Sequence, residues 1–157
     1  MVSEIVNCKR LLIYGLGPTS ALARGAQDLF IGALMAVAVH TDTVIQELTA
    51  NTASSGDLFL FLCINGETAP MIQSATLADA CGANLIAIAS TGSALARVCH
   101  RTLDLVLDSS TTTMTRFTNR LVCQVTLEVL GETIRKTLRT DRKLKNLTSN
   151  HSERAVG

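Results

Sequence analysis

The chain reads as an α/β domain, a three-layer sandwich whose middle layer is a five-stranded parallel sheet in the order 2-1-3-4-5. Three observations predict it. Short apolar runs of strand length alternate with helical patterns along most of the 157 residues. Apolar residues make up 47% of the chain but aromatic ones only 3%. A core of Leu, Ile, Val and Ala suits a parallel sheet covered on both faces. The two loops richest in glycine and hydroxyl side chains follow the first and third strands, and they lie side by side when those strands are neighbours.

The elements follow in order. Val2 to Cys8 looks like the end of a helix, so residues 1–9 are expected to be the end of a preceding helix or a linker. Arg10 to Tyr14 is the first strand, closed by Gly15-Leu16-Gly17-Pro18. Pro18 suits the first turn of a helix running to about Leu34, because a missing N–H costs nothing there. Met35 to Val39 is the second strand, and Thr41 to Ala53 the second helix. The turn Ser54-Ser55-Gly56-Asp57 opens the third strand, Asp57 to Leu62, followed by a helix over Glu67 to Cys81. Asn84 to Ala89 is the fourth strand, Ser93 to His100 a short helix, and Leu103 to Leu107 the fifth strand. A long helix is expected from Thr113 to Thr140, ending the domain (residues 10–140) and leaving a polar tail over 141–157.

That last helix is apolar on two faces. Leu121, Val122, Val125 and Val129 line one, and Cys123, Leu127, Leu130, Ile134 and Leu138 the other. One stripe is enough to pack on a sheet. Two imply either an unusually wide buried stripe or a second subunit over one of them, hence an expected homodimer or homotetramer.

Composition excludes several classes. A net charge of +1 gives no general attraction to nucleic acid or membrane. The basic run from Arg139 to Lys145 is local and reads as a solvated helix end. The cysteines Cys8, Cys63, Cys81, Cys99 and Cys123 form no CxxC and no metal-ligand spacing, and they sit in apolar contexts as small hydrophobes. No cofactor or metal is expected. No signal peptide is visible, and the apolar stretch Leu29 to Val39 is too short to span a bilayer, which points to a reducing cytoplasm with no membrane partner.

The chemistry concentrates in the two loops. Cys63-Ile64-Asn65-Gly66-Glu67-Thr68 ends a buried strand and opens a helix with Pro70 near its start. Backbone N–H groups and short polar side chains converge at such a junction, and the helix dipole favours an anion. No lysine is built in, so it is not a nucleotide P-loop. It reads as a cradle for one phosphate. Gly15-Leu16-Gly17-Pro18-Thr19-Ser20 offers close backbone approach through Gly15 and Gly17 and hydroxyls from Thr19 and Ser20. Alone it also fits a tight turn with an N-cap, or a dinucleotide site with Asp42 on the ribose. Against the latter, Ser20 replaces the third glycine and Pro18 removes an N–H.

Together the loops resemble the sugar isomerase (SIS) domain family. The likeness rests on Gly15 to Ala23 and Gly56 to Thr68, extends through Cys81 to Ser90 and Ser93 to Leu107, and covers about Lys9 to Thr140. It implies the flavodoxin-like strand order given above and a ligand site formed by Gly15, Gly17, Thr19, Ser20, Cys63, Asn65, Gly66, Glu67 and Thr68. The family's phosphate loop is typically Ser-x-Ser-Gly-x-Thr. Here Cys63 and Asn65 stand at the serine positions while Gly66 and Thr68 match, and Thr19 stands where the first motif usually has serine. Within the family the chain is most similar to the effector domain of RpiR-type bacterial transcriptional regulators, and Thr113 to Leu121 resembles the start of their last helix. That likeness implies a phosphorylated sugar as ligand, and DNA contact only through an N-terminal helix-turn-helix domain absent from this chain.

An aldose–ketose isomerase on the same cradle would need an acid and a base. His40, at the end of the second strand near Asp42, is the best-placed base. His100 reads as a helix-terminal residue, and His151 lies in the tail. Glu47 and Glu67 could reach a ligand but read first as solvated, and Glu128 and Glu132 stand four apart on the long helix. No acid–base constellation emerges, so sensing is expected, with isomerisation and a non-binding dimerisation scaffold as the alternatives.

Overall fold

In a computed structural model, residues 1–33, 36–105 and 112–154 are described, the last with side chains as far as 143. The elements are α1 (Val2–Asn7), β1 (Arg10–Gly15), a 3₁₀ turn (Gly17–Thr19), α2 (Ser20–Ile31), β2 (Val37–His40), α3 (Thr43–Asn51), β3 (Asp57–Leu62), α4 (Ala69–Ala80), β4 (Asn84–Ala89), α5 (Ala94–Val98), β5 (Arg101–Asp104) and α6 (Thr113–Arg154). The five strands form one parallel sheet in the order β2-β1-β3-β4-β5, as the loop argument required.

The period of two along each strand sorts the core into two layers. Leu11, Ile13, Leu58, Leu60, Leu62, Ile86 and Ile88 face α1, α2 and α6. Leu12, Tyr14, Phe59, Phe61, Leu85, Ala87 and Ala89 face α3, α4 and α5. Each covering helix presents a stripe at helical spacing: Ala23, Ala26 and Phe30 on α2; Met71, Ser74, Ala75 and Ala78 on α4; Cys123, Leu127, Leu130 and Ile134 on α6. Phe59 and Phe61 stack, and Tyr14 meets both edge-on. Central β3 is buried throughout, so its uninterrupted apolar run marked its ends in the sequence, and β4 also matches its expected range.

The edges differ from expectation. β5 pairs from Arg101, because the register Ile86↔Arg101 is set by β4 and an edge strand tolerates the polar Arg101 and Thr102. β2 is half-buried and reaches His40. Leu34 and Met35, expected where the helix from Pro18 meets the second strand, and Val106 and Leu107, expected in the fifth strand, lie outside the described residues. α6 runs to Arg154 and not to Thr140, since no Gly or Pro interrupts it after Gly131 before the final Gly157. The first segment is a helix, and it packs on the domain. Ile5 is fully buried in the core, and the Glu4 carboxylate accepts from Arg101 Nε at 2.7 Å.

The two stripes of α6 are also resolved. Cys123, Leu127, Leu130 and Ile134 point inward; Leu121, Val122, Val125 and Val129 are exposed, together with Met114 and Phe117. Buried in an apolar layer, the Cys123 thiol is pushed up to about 11 and that of Cys99 to about 12, which suits packing and not reactivity.

At the amino edge of the sheet Asp57 ties three segments together. Its carboxylate accepts from Arg10 Nε and Nη2 at 3.0 and 2.7 Å, and from the Ser54 N–H at 2.9 Å. Burial acts to raise the Asp57 carboxyl, but the Arg10 guanidinium and Ser54 outweigh it and hold it below its ordinary value of 3.8. A carboxyl depressed in the folded state contributes stability that is present above its unfolded pKa and lost as pH falls through the folded one. Asp57→Asn should therefore cost about 1–3 kcal/mol at pH 7. In urea titrations between pH 7 and pH 3, the gap between variant and parent should shrink toward the acid end.

Candidate ligand site at the carboxyl edge of the sheet

The sheet order places the loops after β1 and β3 in one crevice, on either side of the point where the chain reverses its direction of winding. Thr19 joins them. Its hydroxyl donates to the Leu62 carbonyl at 2.8 Å and accepts from the Leu16 N–H at 3.2 Å. Thr19 is 6% exposed, so it holds the first loop against the end of β3 and turns no hydroxyl toward solvent. Gly15 permits this approach: a Cβ there would stand 2.7 Å from the Thr19 carbonyl oxygen and 2.9 Å from Ala23 Cβ. Gly17 is exposed with φ +53°, and Ser20 donates to the Gly17 carbonyl at 2.7 Å.

The second loop is folded on itself. The Cys63 thiol lies 3.2 Å from Thr68 Oγ1 and 3.6 Å from Asn65 Oδ1. Asn65 Oδ1 accepts from the Glu67 N–H at 3.2 Å, and the Gly66 N–H donates to the Cys63 carbonyl at 2.9 Å. The Gly66 and Glu67 N–H groups, natural phosphate donors by their place in the sequence, thus serve the turn itself. Thr68 is the N-cap residue of α4 but makes no side-chain cap bond. The donors left open at this helix start, among the described residues, are the Thr68 hydroxyl, the Asn65 amide NH₂ and the Thr68 and Ala69 N–H groups. All lie where the α4 dipole favours an anion.

A third segment, overlooked in the sequence, buttresses this loop. The Ser90 N–H and hydroxyl donate to the Ile64 carbonyl, the Leu95 N–H to the Gly66 carbonyl at 2.9 Å, and the Ala94 N–H to Glu67 Oε1 at 2.9 Å. Ser93 packs directly under Gly66. The signal lay in Ser90-Thr91-Gly92-Ser93, a third hydroxyl- and glycine-rich turn at the carboxyl end of a strand.

Most of the acid–base candidates have other partners. His40 meets Tyr14 edge-on at 5.7 Å, and burial, with the Arg10 charge, lowers its pKa. Asp42 caps α3, accepting from the Val44 and Ile45 N–H groups, which accounts for it without a ribose. His100 sits at the opposite edge, accepting from the Leu85 N–H and pairing with Asp79. Glu47 accepts from Gln73, Glu128 from Gln124, and Glu132 from Arg135. The His151 side chain lies outside the described residues. No group of His, Cys, Asp and Glu among the described residues is arranged to hold a metal. No helix there is long and apolar enough to cross a membrane.

Gly66 has φ +69°, and a Cβ on it would fall 1.9 Å from Ser93 Oγ. Gly66→Ala should lower stability by roughly 1–3 kcal/mol through strain and overlap together. Ser93→Gly in the same chain should restore part of that loss, because it removes the overlap but not the strain. Thermal melts of the two single variants and the double variant measure the coupling. Strict additivity would show that the contact is not the cause.

The HTH-type transcriptional regulator HexR of Pseudomonas aeruginosa is 31% identical over 137 residues, covering 86% of this chain and 48% of that protein. The chain spans about half the length of the curated relatives it matches. Vibrio vulnificus NanR, solved in complex with ManNAc-6P, superposes with a TM-score of 0.80 at 18% identity, over 99% of this chain and 58% of that one. The sugar isomerase domain of an RpiR transcription factor from Sphaerobacter thermophilus superposes with a TM-score of 0.65 at 14% identity, over 90% and 82%. At such identities the superpositions speak for the fold alone. The model of the SIS domain matches residues 4–130, from α1 through the inward stripe of α6 as far as Leu130, and the chain belongs to that family.

Proposed function

We propose that this chain is the phosphosugar-binding effector domain of a bacterial RpiR-type transcriptional regulator. The observation that carries the reading is the crevice between β1 and β3, where uncommitted donors at the start of α4 face an edge closed by the Thr19–Leu62 bond. The phosphate sits against Thr68, Asn65 and the N–H groups of Thr68 and Ala69. Gly66, Cys63 and Glu67 shape the loop, Gly15 and Thr19 close it from the first strand, and Gly17 and Ser20 border the sugar. The names of the relatives support the regulatory part, and the sugar phosphate held by NanR supports the ligand class. DNA is reached through a helix-turn-helix domain outside this chain, in the cytoplasm, and the domain works as a homo-oligomer. The commitment of Glu67 to α5 favours sensing over isomerisation.

Thermal-shift and calorimetric titration against a panel of hexose, pentose and N-acetylhexosamine phosphates tests this reading. At least one should bind, raising stability by about 2.7 kcal/mol at a hundredfold excess over Kd. Thr68→Val should weaken binding tenfold to a hundredfold, the loss of one hydrogen bond to a charged group worth about 1.5–3 kcal/mol, with the melting curve of the free protein unchanged. Ketose–aldose exchange that disappears in Glu67→Gln or His40→Ala would make it an isomerase. Failure of every sugar phosphate to bind would leave a dimerisation scaffold.

A further inference from the structure

The net charge of +1 conceals a division along the chain. Residues 1–134 carry seven Lys and Arg against eleven Asp and Glu, whereas residues 135–157 carry seven against two. The body of the domain is thus net −4 and the C-terminal stretch net +5. A division of this kind points to a charged partner for one part.

The structure gives the cations a common face. Leu138 of α6 still packs against the core, but positions 139–143 are all exposed, so the helix leaves the body of the domain there. At about 100° per residue, Arg135, Lys136, Arg139, Arg142 and Lys143 fall within about 120° of one another, on the side turned away from the core. Asp141, the single carboxylate between residues 133 and 152, falls on the opposite side. Glu132 takes up the first two cations: its carboxylate accepts from Arg135 Nε at 3.1 Å and lies 3.8 Å from Lys136 Nζ. Arg139, Arg142 and Lys143 have no ion-pair partner among the described residues. Complementing the helix dipole does not account for them. That effect fades within the last turn, and α6 runs on to Arg154, eleven residues past Lys143.

We infer that this face of α6 is a contact surface for the phosphate backbone of duplex DNA, engaged without regard to base sequence. The choice of DNA rests on the regulator part of the reading above, and it adds a contact within this chain to the one proposed outside it. Three observations favour a nucleic-acid backbone over other anions. The first is spacing. Arg135 to Lys143 spans about 12 Å of helix, the reach of about three phosphates of one strand. The second is the absence of an apolar counter-face. A helix lying in a lipid surface carries apolar and basic residues on opposite faces of one segment. Here the exposed apolar residues, Met114 to Val129, precede the cations along the axis, and Leu138, the one apolar residue among 135–143, is committed to the core. The third is the state of the carboxylates on the body, which a second copy would have to offer. Asp57 and Glu4 pair with arginines, Asp42 caps α3, and Asp104 and Glu67 accept from backbone N–H groups.

Fluorescence anisotropy of a short labelled duplex titrated with the whole chain is the test. Three free cations set the expectation: binding at 50 mM salt should weaken roughly fortyfold by 200 mM, a log–log slope of about −2.7. A second duplex of unrelated sequence should bind equally well. Arg139→Gln/Arg142→Gln/Lys143→Gln should lower affinity roughly tenfold or more at 50 mM and flatten the slope by about two to three. Circular dichroism and melting of that variant should be unchanged, since all three positions are exposed beyond the core. Arg139→Lys/Arg142→Lys, which keeps the charge, should keep the binding. Arg116→Gln/Arg120→Gln, at the other end of α6, should leave it unaltered. No duplex binding at 50 mM salt with up to 300 µM chain would overturn the inference. So would binding that survives the triple change, a strong preference between the two duplexes, or flotation with phosphatidylserine–phosphatidylcholine vesicles by a chain that ignores DNA. Duplex binding with no sugar phosphate bound would keep this surface and remove the sensor; the converse would remove this surface alone.

Discussion

The hydroxyl of Thr19 is where the two halves of the candidate site become one. A parallel sheet with the order 2-1-3-4-5 must bring the loops after β1 and β3 together, but sheet pairing alone leaves their separation free. The Thr19 bond to the Leu62 carbonyl sets it, at the last residue of β3 before the cradle begins. That bond in turn demands a backbone without a side chain at Gly15, where Thr19 and Ala23 of the following turn press against the end of β1. A serine could make the same bond. The threonine adds a methyl group that fills a buried position, so the departure from the usual serine there keeps the chemistry and adds packing.

The same reasoning recasts Cys63 and Asn65. Cys63 does not replace serine as a direct phosphate donor, since a thiol donates weakly. In the folded loop Cys63 offers its weak proton inward to Thr68 Oγ1. A hydroxyl that already accepts from within is free to donate outward, toward an anion. Asn65 uses its amide oxygen on the Glu67 N–H and keeps its NH₂ for whatever enters the crevice. In the proposed site Cys63 thus orients the Thr68 hydroxyl, and Asn65 offers its own NH₂. Gly66 and Ser93 fix the loop from below, and Glu67 tethers it to α5. The donors are held in place before a ligand arrives, which lowers the ordering cost of binding.

Much of this was legible in the sequence. β3 and β4 were readable to the residue, because beyond their polar first residues, Asp57 and Asn84, strands buried on both faces are apolar without interruption. β5 was misplaced because an edge strand can carry Arg101 and Thr102, and its register is set by a neighbour and not by its own pattern. The two stripes of α6 were visible, but which one faced the sheet was not, since Leu127 and Val125 differ only in what lies opposite them. The residues of both loops were identifiable by type. The use of the Gly66 and Glu67 N–H groups within the turn, and the buttress from Ser90 and Ser93, were not. The first are short-range bonds that compete with a ligand for the same donors and that residue type alone does not reveal; the second joins segments far apart in sequence, which no local pattern records.

The placement of charge follows from the same division of labour. The described polar clamps sit at the amino edge of the sheet or on its flanks: the Arg10–Asp57 and Arg101–Glu4 ion pairs, and the hydrogen bond from His100 Nε2 to Asp79. The carboxyl edge instead keeps, among the described residues, donors without partners at the start of α4. An uncommitted donor costs stability when it is shielded from water and contributes to binding when a ligand fills it. Saturating this edge with internal pairs would make a firmer domain with nothing left to recognise an anion. By closing the amino edge through Asp57, whose carboxylate is satisfied on both oxygens, the fold secures β1 and β3 at one end and can leave the other end open. The stabilising pair and the candidate ligand site therefore lie at opposite ends of the same two strands.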